Sequence, residues 1–228
     1  MKILITSGGT TENIDSVRSI TNHSSGHLGK LLAEKFLTEG HSVTLVTSKA
    51  SVKPKNQPNL TILEVTNVDS LLKTMEPLAK THHVLIHSMA VSDYTPVYMT
   101  DFDEVKKTAD LTQLLHKENS EHKISSKSDY QVLFLRKTPK VISLVKDWNP
   151  NINLIGFKLL VNVPKEELFA VARESLTSNR ASYILANDLT EITPDKHHAY
   201  LLDEEHAFEA HTKADIAQLI FEKVTKND

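Results

Sequence analysis

The chain has 228 residues, 39% hydrophobic and 24% charged, with a formal net charge of −3 and no cysteine. This is the profile of an ordinary globular protein long enough to bury a sizeable core. A slightly acidic balance gives no basis for nucleic acid or anionic membrane as a bulk partner, and no apolar run approaches the roughly 20 residues of a membrane span. Zero cysteines exclude disulfides, thiolate metal sites and a cysteine nucleophile within the chain. The start reads as a strand followed by glycine and acidic residues, unlike a secretory leader, so a cytoplasmic location is expected.

In chain order, Lys2–Ser7 predicts a short buried strand that Gly8-Gly9-Thr10 stops. A polar run leads to Thr21-Asn-His-Ser-Ser-Gly26, after which Leu28, Leu31, Leu32 and Phe36 recur at helical spacing. Strand, glycine turn and helix start together form an anion cradle, with backbone N–H groups and the helix dipole aimed at phosphate. Here it is doubled, Gly8-Gly9-Thr10 and Ser24-Ser25-Gly26. An ordinary capped helix needs one hydroxyl, amide or glycine of this kind; Asn22, Ser24, Ser25, Gly26 and Gly29 are five.

Glu39-Gly40-His41 predicts the helix stop. Ser42–Thr47, Leu60–Val65 and Val84–His87 are further strands, and a helix over 67–80 is capped by Asn67 or Asp69. From Ser88 to His122 the periodicity fails, and residues 95–121 are expected to form a mobile flap. Strands follow at Tyr130–Leu135, Ile152–Phe157 and Tyr183–Ala186, with helices over 139–148, 164–179 and 215–224. Ala199–Leu202 and Ala207–Ala210 pair as a hairpin. The pattern predicts an α/β protein: one Rossmann-like, doubly wound domain over residues 1–228, with a mostly parallel central sheet, a flap and a small C-terminal β-hairpin.

Asp93, Lys158 and Asn187 stand at carboxyl ends of predicted strands, where open α/β sheets place their ligands, although each also suits a surface turn. Lys123 is either a phosphate ligand or a solvated residue. The twelve histidines, including the pairs His82-His83 and His197-His198, lack metal-ligand spacing and read as surface residues.

Taken together, Ile5-Thr-Ser-Gly-Gly-Thr10, Glu12, Ile14-Asp15, Val17-Arg18, Ile20-Thr-Asn22, Ser24-Ser-Gly26 and Gly29 closely resemble the opening of the phosphopantothenoylcysteine synthetases (phosphopantothenate–cysteine ligases) of coenzyme A biosynthesis. The likeness continues in Ala90-Val-Ser-Asp-Tyr94, His122-Lys-Ile124, Gly156-Phe157 and Ala186-Asn-Asp188. Many bacterial members are fused behind a flavin-dependent decarboxylase. With its motif beginning at Met1, this chain looks like the stand-alone form.

The resemblance implies a ligase that uses CTP or ATP, with Mg2+ screening the triphosphate, to activate 4′-phosphopantothenate as an acyl nucleotidylate and then join it to L-cysteine. It implies Gly8, Gly9, Ser24, Gly26, Gly29, Phe157, Lys158 and Asn187 as the nucleotide-binding set, with Asn22 at the acyl nucleotidylate. It further implies Ala90 and Asp93 at substrate held mainly by the other subunit of a homodimer, with Asn22, Asp93 and Lys123 as the catalytic residues. Metal ligands are not identified by it.

The chain departs from the bacterial pattern at Lys123-Ile-Ser-Ser126 and at Ser175 and Asn179, where fused enzymes carry lysines. Lys123, Lys127, Lys158 and Arg173 are candidates to compensate. A short-chain dehydrogenase predicts a Gly-x-x-Gly-x-x-Gly turn, a Tyr-x-x-x-Lys pair and an acidic residue ending the second strand, none of them present. A non-catalytic nucleotide-binding module needs the cradle but neither Asn22 nor Asp93.

Overall fold

The computed structural model describes residues 1–119, 122–193 and 195–226. Its elements in order are β1 Lys2–Ser7, β2 Thr11–Asn13, β3 Ser19–Thr21, α1 His27–Thr38, β4 Ser42–Ser48, β5 Leu60–Val65, α2 Val68–Ala79, β6 Val84–His87, β7 Tyr94–Asp101 and α3 Phe102–Lys107. After a 3-10 turn at Leu111–His116 come β8 Gln131–Lys137, α4 Val141–Trp148, β9 Asn153–Leu160, α5 Lys165–Asn179, β10 Tyr183–Asp188, β11 Ala199–Leu202, β12 Ala207–Ala210 and α6 Lys213–Thr225.

Eight strands form the main sheet in the order β12-β11-β10-β9-β6-β1-β4-β5. The pairs from β10 through β5 are parallel, while β11 and β12 add an antiparallel edge. This is the expected α/β architecture, C-terminal hairpin included. The central strands are apolar on both faces because helices cover both. On one face Leu32 and Phe36 of α1 and Ile216 and Ile220 of α6 pack on Ile3, Ile5, Ile86 and Leu185. On the other, Leu71 and Met75 of α2, Val145 of α4 and Leu168 and Leu176 of α5 pack on Leu4, Leu85, Leu154 and Ile184.

Local chemistry sets the helix ends. Gly40, at φ 83°, ends α1 as the sequence predicts. Asn67 accepts from the Ser70 backbone N–H while Ser70 Oγ accepts from the Asn67 N–H, a reciprocal capping box that starts α2. Thr212 caps α6 by accepting from the Asp215 N–H.

Two features differ from the sequence reading. Within the stretch where the periodicity fails, Tyr94–Asp101 forms β7, which pairs antiparallel with β8, the strand expected over Tyr130–Leu135, in a separate two-stranded arm carrying α3 and the 3-10 turn. Its residues alternate poorly in polarity because the arm has little core of its own: Tyr94, Phe102, Leu111, Leu115, Tyr130 and Leu135 are exposed. Second, His82, His87 and His197 are buried rather than on the surface. Thr6 Oγ1 meets His87 Nδ1 at 2.8 Å, and His82 bridges the Leu78 carbonyl and Thr44.

Candidate active site at the carboxyl edge of the sheet

The parallel strands all end at one edge, and the connection from β5 through α2 carries the chain across β1 to β6. The crevice therefore opens beside the carboxyl end of β1, at the switch in strand order. A cavity of about 340 Å³ lies there. The β1 turn and the start of α1 form one wall, Ser88 to Ala90 after β6 form the floor, and Phe157, Leu159, Asn187 and His197 close the far side.

The cradle is held by close backbone approach. Gly8 has φ 81°, and a side chain there would collide with Ser51. A Cβ on Gly9 would sit 2.2 Å from the Asn22 carbonyl oxygen, and one on Gly29 would sit 2.2 Å from Ser7 Oγ. These glycines let three segments touch. Ala90 N–H donates to the Gly8 carbonyl (2.8 Å), and Thr10 N–H donates to the Ala90 carbonyl (3.0 Å). The Asn22 side-chain amide donates to that same Ala90 oxygen at 3.1 Å. Thr10 and Ser92 hydroxyls are 2.9 Å apart, completing the knot.

Gly26, at φ 79°, is the N-cap of α1 and provides no side-chain cap. The first-turn N–H groups of α1 thus begin at the cavity wall, where the helix dipole favours an anion. Lys213, the first residue of α6, is the one lysine or arginine among the described lining residues. Sequence reading missed it because nothing along the chain connects it to residue 26. His197 was missed for the same reason.

Asn187 is nearly buried and donates its side-chain amide to His197 Nε2 at 3.1 Å. Burial, with Lys213 nearby, lowers the His197 pKa to about 4, so the ring is neutral at physiological pH and accepts this bond. Asp188, next in β10, accepts from the backbone N–H groups of Asn162, Val163 and Thr190, which ties the loop after β9 to the end of β10. The Thr190 hydroxyl and these N–H groups hold its carboxyl well below the usual range.

The fold thus brings Gly8, Ser24, Gly26, Gly29, Ala90, Phe157 and Asn187 to one cavity. Gly9 and Asn22 stand behind its wall, bonded into it. Lys158 does not line it: alternation along β9 sends Lys158 to the sheet face opposite Phe157. Asp93 is exposed at the root of the β7–β8 arm, its carbonyl accepting from Thr138 N–H. Lys123 is also exposed and outside the cavity. It precedes the buried Ile124, whose N–H donates to Asp15 and whose carbonyl accepts from Arg18. Arg18 in turn pairs with Asp15 at 2.5 Å, the main cause of a strongly lowered Asp15 pKa. Of the positions where fused enzymes carry lysine, Asn179 is buried and bonded to the Ser175 carbonyl. Lys127 and Arg173 are exposed and do not line the cavity.

A model of the DNA/pantothenate metabolism flavoprotein C-terminal domain matches residues 1–119 and 107–227. The chain belongs to this family. The DNA/pantothenate metabolism flavoprotein from Streptococcus pneumoniae is 54% identical, with each chain covered in full and a TM-score of 0.96. The coenzyme A biosynthesis bifunctional protein CoaBC of Thermococcus kodakarensis is 31% identical over 99% of this chain and 51% of its own length. The CoaBC protein of Methanocaldococcus jannaschii is 33% identical, over 99% and 50% respectively. The chain therefore spans about half the length of the curated relatives it matches. At 20% identity and a TM-score of 0.74, a Cab2 mutant in complex with phosphopantothenate-cysteine shares the fold. Family membership agrees with the resemblance carried by the N-terminal motif. Among the described residues no helix is long and apolar enough to cross a membrane.

Proposed function

We propose that the chain is a cytoplasmic phosphopantothenate–cysteine ligase that activates its substrate with CTP or ATP. The observation that carries this reading is the joined cradle: an uncapped α1 start, the Gly8 turn and the Ala90 segment, fixed to one another through Asn22 around one cavity.

A carboxylate oxygen of 4′-phosphopantothenate attacks the α-phosphorus of the triphosphate. The bond from that phosphorus to the bridging oxygen breaks, and pyrophosphate leaves. The cysteine amine then attacks the acyl carbon, nucleoside monophosphate departs, and the nitrogen loses a proton as the amide forms. Neither step requires a nucleophile from the protein; both require charge neutralisation and alignment. The N–H groups of the cradle and Lys213 supply the first. Phe157 and Asn187 bind the nucleoside, and Asn22 orients the acyl nucleotidylate. Mg2+ fits as an ion carried on phosphate oxygens and water, because among the described residues the cavity lining contains neither Asp nor Glu.

Ala90 faces the cavity while Asp93 and Lys123 lie outside it, an arrangement that suits a homodimer in which the arm of one subunit reaches the substrate of the other. The exposed apolar residues of the arm supply a surface for that contact. No observation favours the dehydrogenase reading; β4 ends in Thr47-Ser48, with no acidic residue for a ribose.

The test is to incubate purified protein with phosphopantothenate, cysteine, Mg2+ and either CTP or ATP while following pyrophosphate and phosphopantothenoylcysteine. Stoichiometric appearance of both is expected with at least one nucleotide. Failure with both overturns the ligase reading.

A further inference from the structure

Outside the cavity, the C-terminal hairpin gathers imidazoles that its sequence spacing conceals. The antiparallel register places Ala199 opposite Ala210 and Tyr200 opposite Glu209. One step before the first of these pairs, His198 lies across from His211, and alternation turns His198, Glu209 and His211 to the same face. The two imidazoles stack with centroids 5.2 Å apart and planes 21° apart. One ligand atom from each of the three residues falls within 4.8 Å of the others, the one such group of three among the described residues.

A fourth residue gives the group its chemical character. His198 Nδ1 lies 2.7 Å from Glu191, on the turn after β10, while its Nε2 lies 2.6 Å from Glu209. A neutral imidazole has one N–H. When a metal takes Nε2, the single N–H of the ring is the Nδ1–H donated to Glu191. Carboxylate, then imidazole, then a second ring nitrogen beside further ligand groups is the order found around metal-binding histidines.

The geometry points to a divalent transition-metal site, with zinc as the fitting ion, held by His198, Glu209 and His211 and oriented by Glu191. Imidazole with carboxylate selects zinc or its neighbours over magnesium or calcium. Bonds of about 2.0–2.2 Å to each ligand require the His198–Glu209 contact to open by under about 1 Å. Glu209 and His211 are exposed, so their side chains can make that adjustment. The site would clamp the β10–β11 turn to the edge hairpin. That turn also bridges Ile192 to His197, both in the cavity wall, so an ion here would stiffen one side of the cavity.

The experiment uses the full chain without an affinity tag, stripped with chelator and titrated with Zn2+ against a chromophoric chelator. One equivalent per chain is expected, and His198→Ala or His211→Ala should weaken it at least tenfold. Glu191→Gln should weaken it by about 10- to 100-fold, as loss of an orienting partner does elsewhere. Circular dichroism confirms that each variant is folded. No stoichiometric zinc binding, or binding unchanged in the His198→Ala/His211→Ala double variant, would overturn the site. The readout is independent of ligase activity.

Discussion

Asn22 and Ala90, 68 positions apart, share one hydrogen bond that joins the cradle to the end of β6. The Ala90 oxygen also accepts from Thr10 N–H, so Asn22 is held by a fully committed carbonyl. Replacing the Asn22 amide by a carboxylate sets an acceptor against that carbonyl and, in the role proposed for Asn22, an anion beside the acyl phosphate. Asn22→Asp is expected to lower kcat by about 10²-fold, the scale associated with losing one well-placed donor. Wild-type kcat in the folded variant would remove Asn22 from the reaction.

Lys213 offers a separate test of where the triphosphate lies. Lys213→Met retains the aliphatic stem and removes the charge. The nucleotide KM should rise about tenfold, equivalent to losing roughly 1.4 kcal/mol of binding, with little change in melting temperature. The wild-type KM should also rise with salt, and the variant less steeply. Equal salt dependence in both proteins would place the phosphates elsewhere.

Gly29 tests the close approach of α1 to β1. A methyl group at Gly29 would sit 2.2 Å from Ser7 Oγ and 2.4 Å from Ser7 Cβ. Gly29→Ala should destabilise by about 1–3 kcal/mol, which for a chain this long lowers the melting temperature by about 2–4 °C per kcal/mol. Adding Ser7→Gly removes the colliding atoms and should restore part of the loss. A Gly29→Ala protein as stable as wild type would mean that α1 lies farther from β1.

The acid limb of stability carries the mark of His87. Burial lowers its pKa from 6.5 to about 4. Between those values the unfolded chain binds a proton that the folded chain does not. Stability is therefore intact above about 6.5 and falls as the pH drops toward 4, by up to roughly 3 kcal/mol from this group. His87→Gln should flatten that slope in urea unfolding measured across the range, whatever its constant offset. An unchanged slope would show that His87 is not buried neutral.

Much of this arrangement is legible along the chain because its determinants are local. Lys2–Ser7 is continuous apolar sequence closed by glycine, Gly40 stops α1, and Ala199–Leu202 with Ala207–Ala210 signals a hairpin. Ser24, Gly26 and Gly29 stand out because so many small and hydroxyl residues gather around one helix start. What escapes detection depends on contacts between distant segments. Lys213 reaches the cavity only because α6 packs beside α1, and His197 only because the hairpin folds back along β10. The β7 half of the arm escapes, although β8 is foreseen, because strands with little core beneath them need not alternate, so Tyr94–Asp101 reads as irregular. The histidine pairs mislead for a related reason. Adjacent residues on a strand face opposite ways, so His197 turns into the cavity wall while His198 turns out toward Glu191 and Glu209.

The stepwise activation at the joined cradle is tested most directly by exchange of labelled pyrophosphate into the nucleotide without cysteine. Reversible formation of the acyl nucleotidylate predicts exchange that requires phosphopantothenate, proceeds with cysteine omitted and collapses in Asn22→Asp. Exchange that is absent without cysteine in an otherwise active enzyme, or that proceeds without phosphopantothenate, would contradict it.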